Sequence, residues 1–217
     1  GRSAKQVISG FVNITGANSV SAYNEDLQGH GTHVCGTLIA SKFTFDDGYH
    51  KGREIKGLLP DYTVVSYKVV TDTLFNNQFY PVDTILYHSA LADVAARIQF
   101  GIDGGLDAIN ISLGRTVAMS LAEDEDIARL DQLDVPIVAA AGNYGPDLMY
   151  PAAYSRAANN VYSAGAAQYD PTDKEFGVKV WAYSNPSRDV YLSCIAPGVD
   201  IFSTMPQSNR GSKKFVT

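Results

Sequence analysis

The sequence predicts an α/β fold, a mostly parallel sheet flanked by helices on both faces. Three observations predict it. Strand-like and helix-like segments alternate along the chain, which is the pattern of βαβ units. The strand-like segments are unbroken apolar runs, as a sheet covered on both faces requires. Of the 217 residues, 45% are hydrophobic and 18% charged, enough for one α/β unit with a sizeable core.

The elements follow in order. Residues 31–41 read as a helix that opens at Gly29-His30. Residues 62–70 are β-branched and aromatic, hence a strand. From Val82 to about Gly101, apolar residues recur at helical spacing, among them Ile85, Leu86, Leu91, Val94, Ala95 and Ile98. Residues 108–113 form a short apolar strand ending at Gly114. Residues 118–133 read as an amphipathic helix with an acidic outer face. Residues 135–141 are a continuous apolar strand closed by Gly142-Asn143, and 161–167 and 191–196 are further strands. No repeat or linker interrupts the chain, so residues 1–217 are expected to be a single domain.

The bulk properties exclude several classes. The net charge is -6 and no Lys/Arg-rich block occurs, which argues against nucleic acid as a partner. No run approaches the roughly 18 apolar residues of a membrane helix. The chain starts at Gly1-Arg2-Ser3 rather than Met, so the true N-terminus is expected elsewhere and a missing signal peptide says nothing of compartment. Cys35 and Cys194 are too few for a disulfide scaffold and are expected to be two buried free thiols. Asn13-Ile14-Thr15 and Asn110-Ile111-Ser112 match the glycosylation acceptor pattern, weakly.

The strongest local signal is Gly29-His30-Gly31-Thr32-His33-Val34-Cys35-Gly36-Thr37. A general-base histidine needs exposure on one side and close backbone packing on the other. Gly29 and Gly31 remove side chains beside the ring, and Gly36 would permit tight helix-to-sheet contact. Such an imidazole can accept and return a proton near neutral pH. Taken alone, it is equally a packed histidine at a helix start. Two rival patterns fail. His30 and His33 do not have His-Glu-x-x-His spacing and lack a third ligand cluster, and Val34 occupies the place of the third glycine in a dinucleotide fingerprint.

The second signal is Val138-Ala139-Ala140-Ala141-Gly142-Asn143, a strand emptying into Gly-Asn. Asn143 is either a turn residue or an amide donor to an oxyanion during acyl transfer. In parallel sheets functional groups sit just past the strand C-termini, which singles out Ser112-Leu113-Gly114 as well.

Six segments in order make the chain resemble the subtilisin-like serine peptidases. His30-Gly31-Thr32-His33-Val34 resembles the family's histidine motif, which makes His30 the catalytic base. Gly57-Leu58-Leu59-Pro60 with the following Val64-Val65-Ser66-Tyr67-Lys68-Val69 is similar to the Gly-x-Ala-Pro segment and the strand after it, Leu59 replacing the usual alanine. Ile109-Asn110-Ile111-Ser112-Leu113-Gly114 resembles the strand whose end binds peptide substrate. Ala140-Ala141-Gly142-Asn143 resembles one wall of the first specificity pocket plus the oxyanion donor. Tyr150-Pro151-Ala152-Ala153-Tyr154 and Ala196-Pro197-Gly198-Val199-Asp200-Ile201 complete the series. The resemblance also places Met149 at the pocket floor, the other reading being core packing beneath the loop.

The departures lie at the two ends, so the fold is expected to be incomplete at both. The family's triad runs Asp, His, Ser. No Asp-Ser/Thr-Gly motif precedes His30, and Asp26 is read as a loop acid. No Gly-Thr-Ser-Met-Ala motif occurs before Thr217, and Ser203, Ser208 and Ser212 read as loop serines. The resemblance implies a peptidase domain truncated after the triad aspartate and before the nucleophile, inactive alone, from a secreted, monomeric endopeptidase made with a prodomain and acting on polypeptides. It needs no cofactor, though structural calcium is common in the family. A non-catalytic pseudopeptidase and a small-ligand α/β binding domain are the alternatives.

Overall fold

Helix α1 (His30–Ile39) begins where Gly29 turns the backbone left-handed at φ 96, a conformation a side chain would disfavour. Its cap comes from outside the helix. Asp26 Oδ1 accepts the Gly29 amide at 2.8 Å, and Oδ2 accepts the Thr32 amide at 2.7 Å and its hydroxyl at 2.8 Å. The computed structural model describes residues 8–13, 26, 29–46, 48, 51–70, 86–102, 106–143, 145–175, 177–182, 184–185 and 192–205. Outside these lie the expected helical residues 82–85, strand residue Tyr191, Ser208, Ser212, residues 1–3, Ile14-Thr15 of the first acceptor pattern and Lys214 to Thr217.

The chain forms two compact units, residues 1–86 with 200–217 and residues 87–199. In the first, the C-terminal end of α1 is closed by the segment after it. Gly57, Leu58 and Leu59 donate their amides to the carbonyls of Ala40, Thr37 and Leu38 at 2.8, 3.0 and 2.7 Å. Gly57 is required there, because a Cβ would run into the backbone of Ile39 and Ala40. Residues 201–204 strap the other flank. Ser203 Oγ donates to the His33 carbonyl at 2.6 Å, and Thr204 Oγ1 donates to the Thr32 carbonyl at 2.8 Å. Gly36 serves this strap rather than a sheet: a Cβ on it would meet Ser203 and Thr204. Ser203, expected to be an ordinary loop serine, is buried by the same contact.

Two small sheets complete this unit. Strand β1 (Ile8–Asn13) pairs in parallel with β4 (Val64–Lys68), and β2 (Phe43–Thr44) pairs antiparallel with β3 (Glu54–Ile55). Only β4 is legible in the sequence. The others are short or polar, and exist because a partner strand supplies their hydrogen bonds.

The second unit carries the main sheet. Its order is β5 (Ile109–Ile111), β6 (Ile137–Ala140), β7 (Val161–Tyr169) and β8 (Val178–Val180), with β9 (Cys194–Pro197) also on β7. All pairings are parallel except β7 with β8, confirming a mostly parallel α/β sheet. Helices α2 (Tyr87–Gln99) and α3 (Leu121–Gln132) pack on each other. Helix α3 starts three residues later than its apolar pattern suggests, because Ser120 and Glu123 form a reciprocal capping box. Along β6 burial alternates: Ile137 and Ala139 are fully buried, while Val138 and Ala140 are half-buried.

Both cysteines are free, but neither is fully buried: Cys35 is half-buried and Cys194 is exposed on β9. An apolar sequence context did not imply burial, because all four β9 residues are exposed. Among the described residues, no helix is long and apolar enough to cross a membrane.

Candidate functional site

The first group of candidate residues lies at the start of α1. His30 is its exposed first residue. Gly29 is needed for its positive φ, whereas a Cβ at Gly31 would rest 3.5 Å from Asp26 Oδ2, an ordinary contact. Both Asp26 oxygens are occupied in shaping the turn that presents His30, consistent with a loop acid. His33 points away, its Nε2 3.1 Å from the Ile201 carbonyl oxygen. Burial, then the nearby Asp26 charge, pushes the Cys35 thiol above its ordinary range. Among the described residues, no three His, Cys, Asp or Glu side chains cluster to hold a metal ion.

The second group lies at the C-terminal ends of β5 and β6. Ala141 donates to the Ala164 carbonyl at 2.9 Å, extending the β6–β7 pairing by one bond. Gly142 then breaks the strand at φ 104 and leaves Asn143 exposed, its side-chain amide without a partner among the described residues. The chain returns at Met149, whose amide donates to the Ala141 carbonyl at 2.9 Å. Next to it, Tyr150 and Arg115 exchange both backbone hydrogen bonds at 2.9 and 3.1 Å. A cleft of about 250 Å³ is lined in part by Ser112, Ala140, Ala141, Gly142 and Asn143.

Leu113, Gly114 and Met149 lie outside that lining. Met149 is half-buried and fills the space beside two glycines. A Cβ at Gly114 would be 3.0 Å from Met149 Cβ, and one at Gly142 would be 2.5 Å from Met149 Cγ. The thioether therefore sits between the ends of the two strands, which accommodates both a pocket floor and a packing residue.

Sequence reasoning missed three supports. Asn185 is buried, and its amide donates to the Gly142 carbonyl at 2.8 Å while its Nδ2 donates to the Asp147 carbonyl at 2.7 Å. Nothing in the sequence around it announces this, since both partners lie about forty residues away. Arg115, just past Gly114, forms a buried ion pair with Glu123 and lies 5.4 Å over the Tyr87 ring. Burial works against the Glu123 carboxylate. The Ser120 amide and hydroxyl and the Arg115 guanidinium outweigh it and hold Glu123 below the ordinary range. Burial also pushes the Tyr87 phenol up. The Ser120-x-x-Glu123 spacing is the one local signal that could have marked this cluster. The third support is the strap at 201–204, which no local motif marks.

What this arrangement offers is an exposed amide donor beside a cleft walled by small side chains, and a separate exposed imidazole on a glycine-shaped turn. Residues 7–214 match the Subtilase family model. Subtilisin DY of Bacillus licheniformis is 28% identical over 90% of this chain and 61% of its own length. The major intracellular serine protease of Bacillus subtilis is 27% identical over 89% of this chain and 51% of its own length. The solved structure of sphericase superposes with a TM-score of 0.64 at 24% identity, covering 93% of this chain and 63% of that one. The chain thus spans between half and two thirds of these relatives.

Proposed function

The chain belongs to the subtilase family, and from that premise we propose that the complete protein is a serine endopeptidase acting on polypeptides. The observation that carries the proposal is Asn143: an exposed amide at a strand end, without a partner among the described residues, on a cleft lined in part by Ser112, Ala140, Ala141 and Gly142. Relatives named serine proteases support it. A triad aspartate and serine are also required, and neither has its family motif in this sequence. In the proposal the rest of the protein supplies them, and residues 1–217 are part of a single peptidase domain.

The serine oxygen attacks the peptide carbonyl carbon as His30 takes the hydroxyl proton, and the carbonyl electron pair moves onto oxygen. Asn143 Nδ2 donates a hydrogen bond to that oxyanion. When the C–N bond breaks, His30 returns its proton to the leaving amine, and water repeats the sequence on the acyl-enzyme. The backbone of Ser112, Leu113 and Gly114 pairs with the extended substrate as an added strand. Ala140, Ala141 and Gly142 leave room for a side chain, with Met149 as its floor.

Asn143→Ala in the complete protein should lower kcat roughly 10²–10³-fold with little change in KM, a size taken from a subtilisin rather than derived from this geometry. If KM alone changed, Asn143 would be a ground-state binder. A pseudopeptidase has no observation in its favour, and labelling of the complete protein by a fluorophosphonate separates the two. Secretion of a monomer with a prodomain, without cofactor, nucleic acid or membrane partner, belongs to the same proposal. Two relatives are named intracellular proteases, so recovery from the medium or from the cell pellet is the check.

A further inference from the structure

Asn185 is the bulkiest polar side chain that the described core encloses completely, at 1% exposure. It contacts the loop after β6 at both ends. Its backbone amide holds the Gly142 carbonyl at 2.8 Å, and its Nδ2 holds the Asp147 carbonyl at 2.7 Å. Nδ2 also lies 2.7 Å from where a Cβ of Gly142 would stand, so the side chain is packed directly against that glycine.

The Gly142 carbonyl belongs to the peptide group that ends in the Asn143 nitrogen and Cα. Because the peptide is planar, fixing that oxygen fixes the plane from which the Asn143 side chain departs. Among the described residues the Asn143 side chain has no partner, so its aim rests on this backbone. At φ 104, Gly142 lies in a region without the usual steric restraint on a side-chain-bearing residue, and an outside hold replaces it.

The placement has a cost. Among the described residues Asn185 Oδ1 is buried without a hydrogen-bond partner. A buried polar atom left unpaired destabilises the fold, which an apolar side chain would avoid. The Nδ2 donor is therefore kept despite the oxygen that accompanies it.

We propose that the Asn185 side chain is a positioning element for the oxyanion donor Asn143, acting through its packing against Gly142 and its bond to the Asp147 end of the loop. This rests on the assignment of Asn143 as that donor. The test is a double-mutant cycle in the complete protein, measuring kcat, KM and Tm for Asn185→Leu and Asn185→Ala, each with and without Asn143→Ala. Displacing a catalytic group by a fraction of an ångström should lower kcat roughly tenfold in the otherwise native enzyme, with KM within about twofold. With Asn143 already removed, the same substitutions should change kcat less than about twofold, since the group they act through is gone. Equal losses in both backgrounds would overturn the proposal, because Asn185 would then serve the fold in general. So would an unchanged kcat in the otherwise native enzyme, or loss of fold in both variants. If Asn143→Ala alone left kcat intact, the oxyanion assignment would fail first, and the proposal with it.

Discussion

The region around His30 and the region around Asn143 are built by different means. Near His30 the chain is held by polar bonds from elsewhere. Asp26 shapes the turn, residues 201–204 grip the helix flank, and residues 57–59 close its far end. Near Asn143 hydrogen bonds from Asn185 and Met149 are joined by close fit at the turn itself. Gly114 and Gly142 enclose Met149, Gly142 also abuts Asn185, and a Cβ at Gly198 would lie 2.6 Å from that of Ala166. Polar bonds can hold a backbone while its side chain stays exposed, which suits a group that must exchange protons. Close fit leaves a shaped cleft but no room for an added atom. The turn at His30 should therefore lose function more readily than fold, and the turn at Gly142 should lose fold at a single-atom insertion.

Replacing the two histidines of α1 in turn separates function from fold. His30→Ala in the complete protein should lower kcat by about 10²–10⁴, the contribution of a general base, with Tm unchanged. His33→Ala removes the contact to Ile201 and should act on Tm, about 1 kcal/mol, while most activity remains. Equal activity losses would mean that the sequence had not distinguished the two histidines.

The comparison is tested directly by Gly142→Ala against Asp26→Ala, read by denaturant unfolding. Gly142→Ala places a side chain at φ 104 against Met149 and Asn185 and should cost about 2–5 kcal/mol. Asp26→Ala removes three hydrogen bonds at a helix start and should cost about 0.5–2 kcal/mol. The reverse order would break the distinction between held and fitted regions.

The smallest effect sharpens it. Met149→Gly empties the space between Gly114 and Gly142 and should raise the kcat/KM ratio of Phe-ending over Ala-ending peptides several-fold. An unchanged ratio would make Met149 a packing residue only.

Elements whose signal is local can be read directly from the chain. The apolar runs that became β4, β5, β6 and β7, the periodicity of α2 and α3, and the glycine-flanked His30 are all set by residues within a few positions of one another. Periodicity and turn chemistry act over that range. The motif order identified the family for the same reason. Tertiary structure alone decided the rest. Strands β1, β2, β3 and β8 form because distant partners complete their hydrogen bonds. Gly36 turned out to face residues 203–204, and Cys194 turned out exposed, because burial depends on what lies across the gap. Asn185 and the Arg115–Glu123 pair support the site from outside its motifs. A hydrogen bond spanning some forty residues leaves no periodic or spacing signature in the chain, so only the folded structure could reveal it.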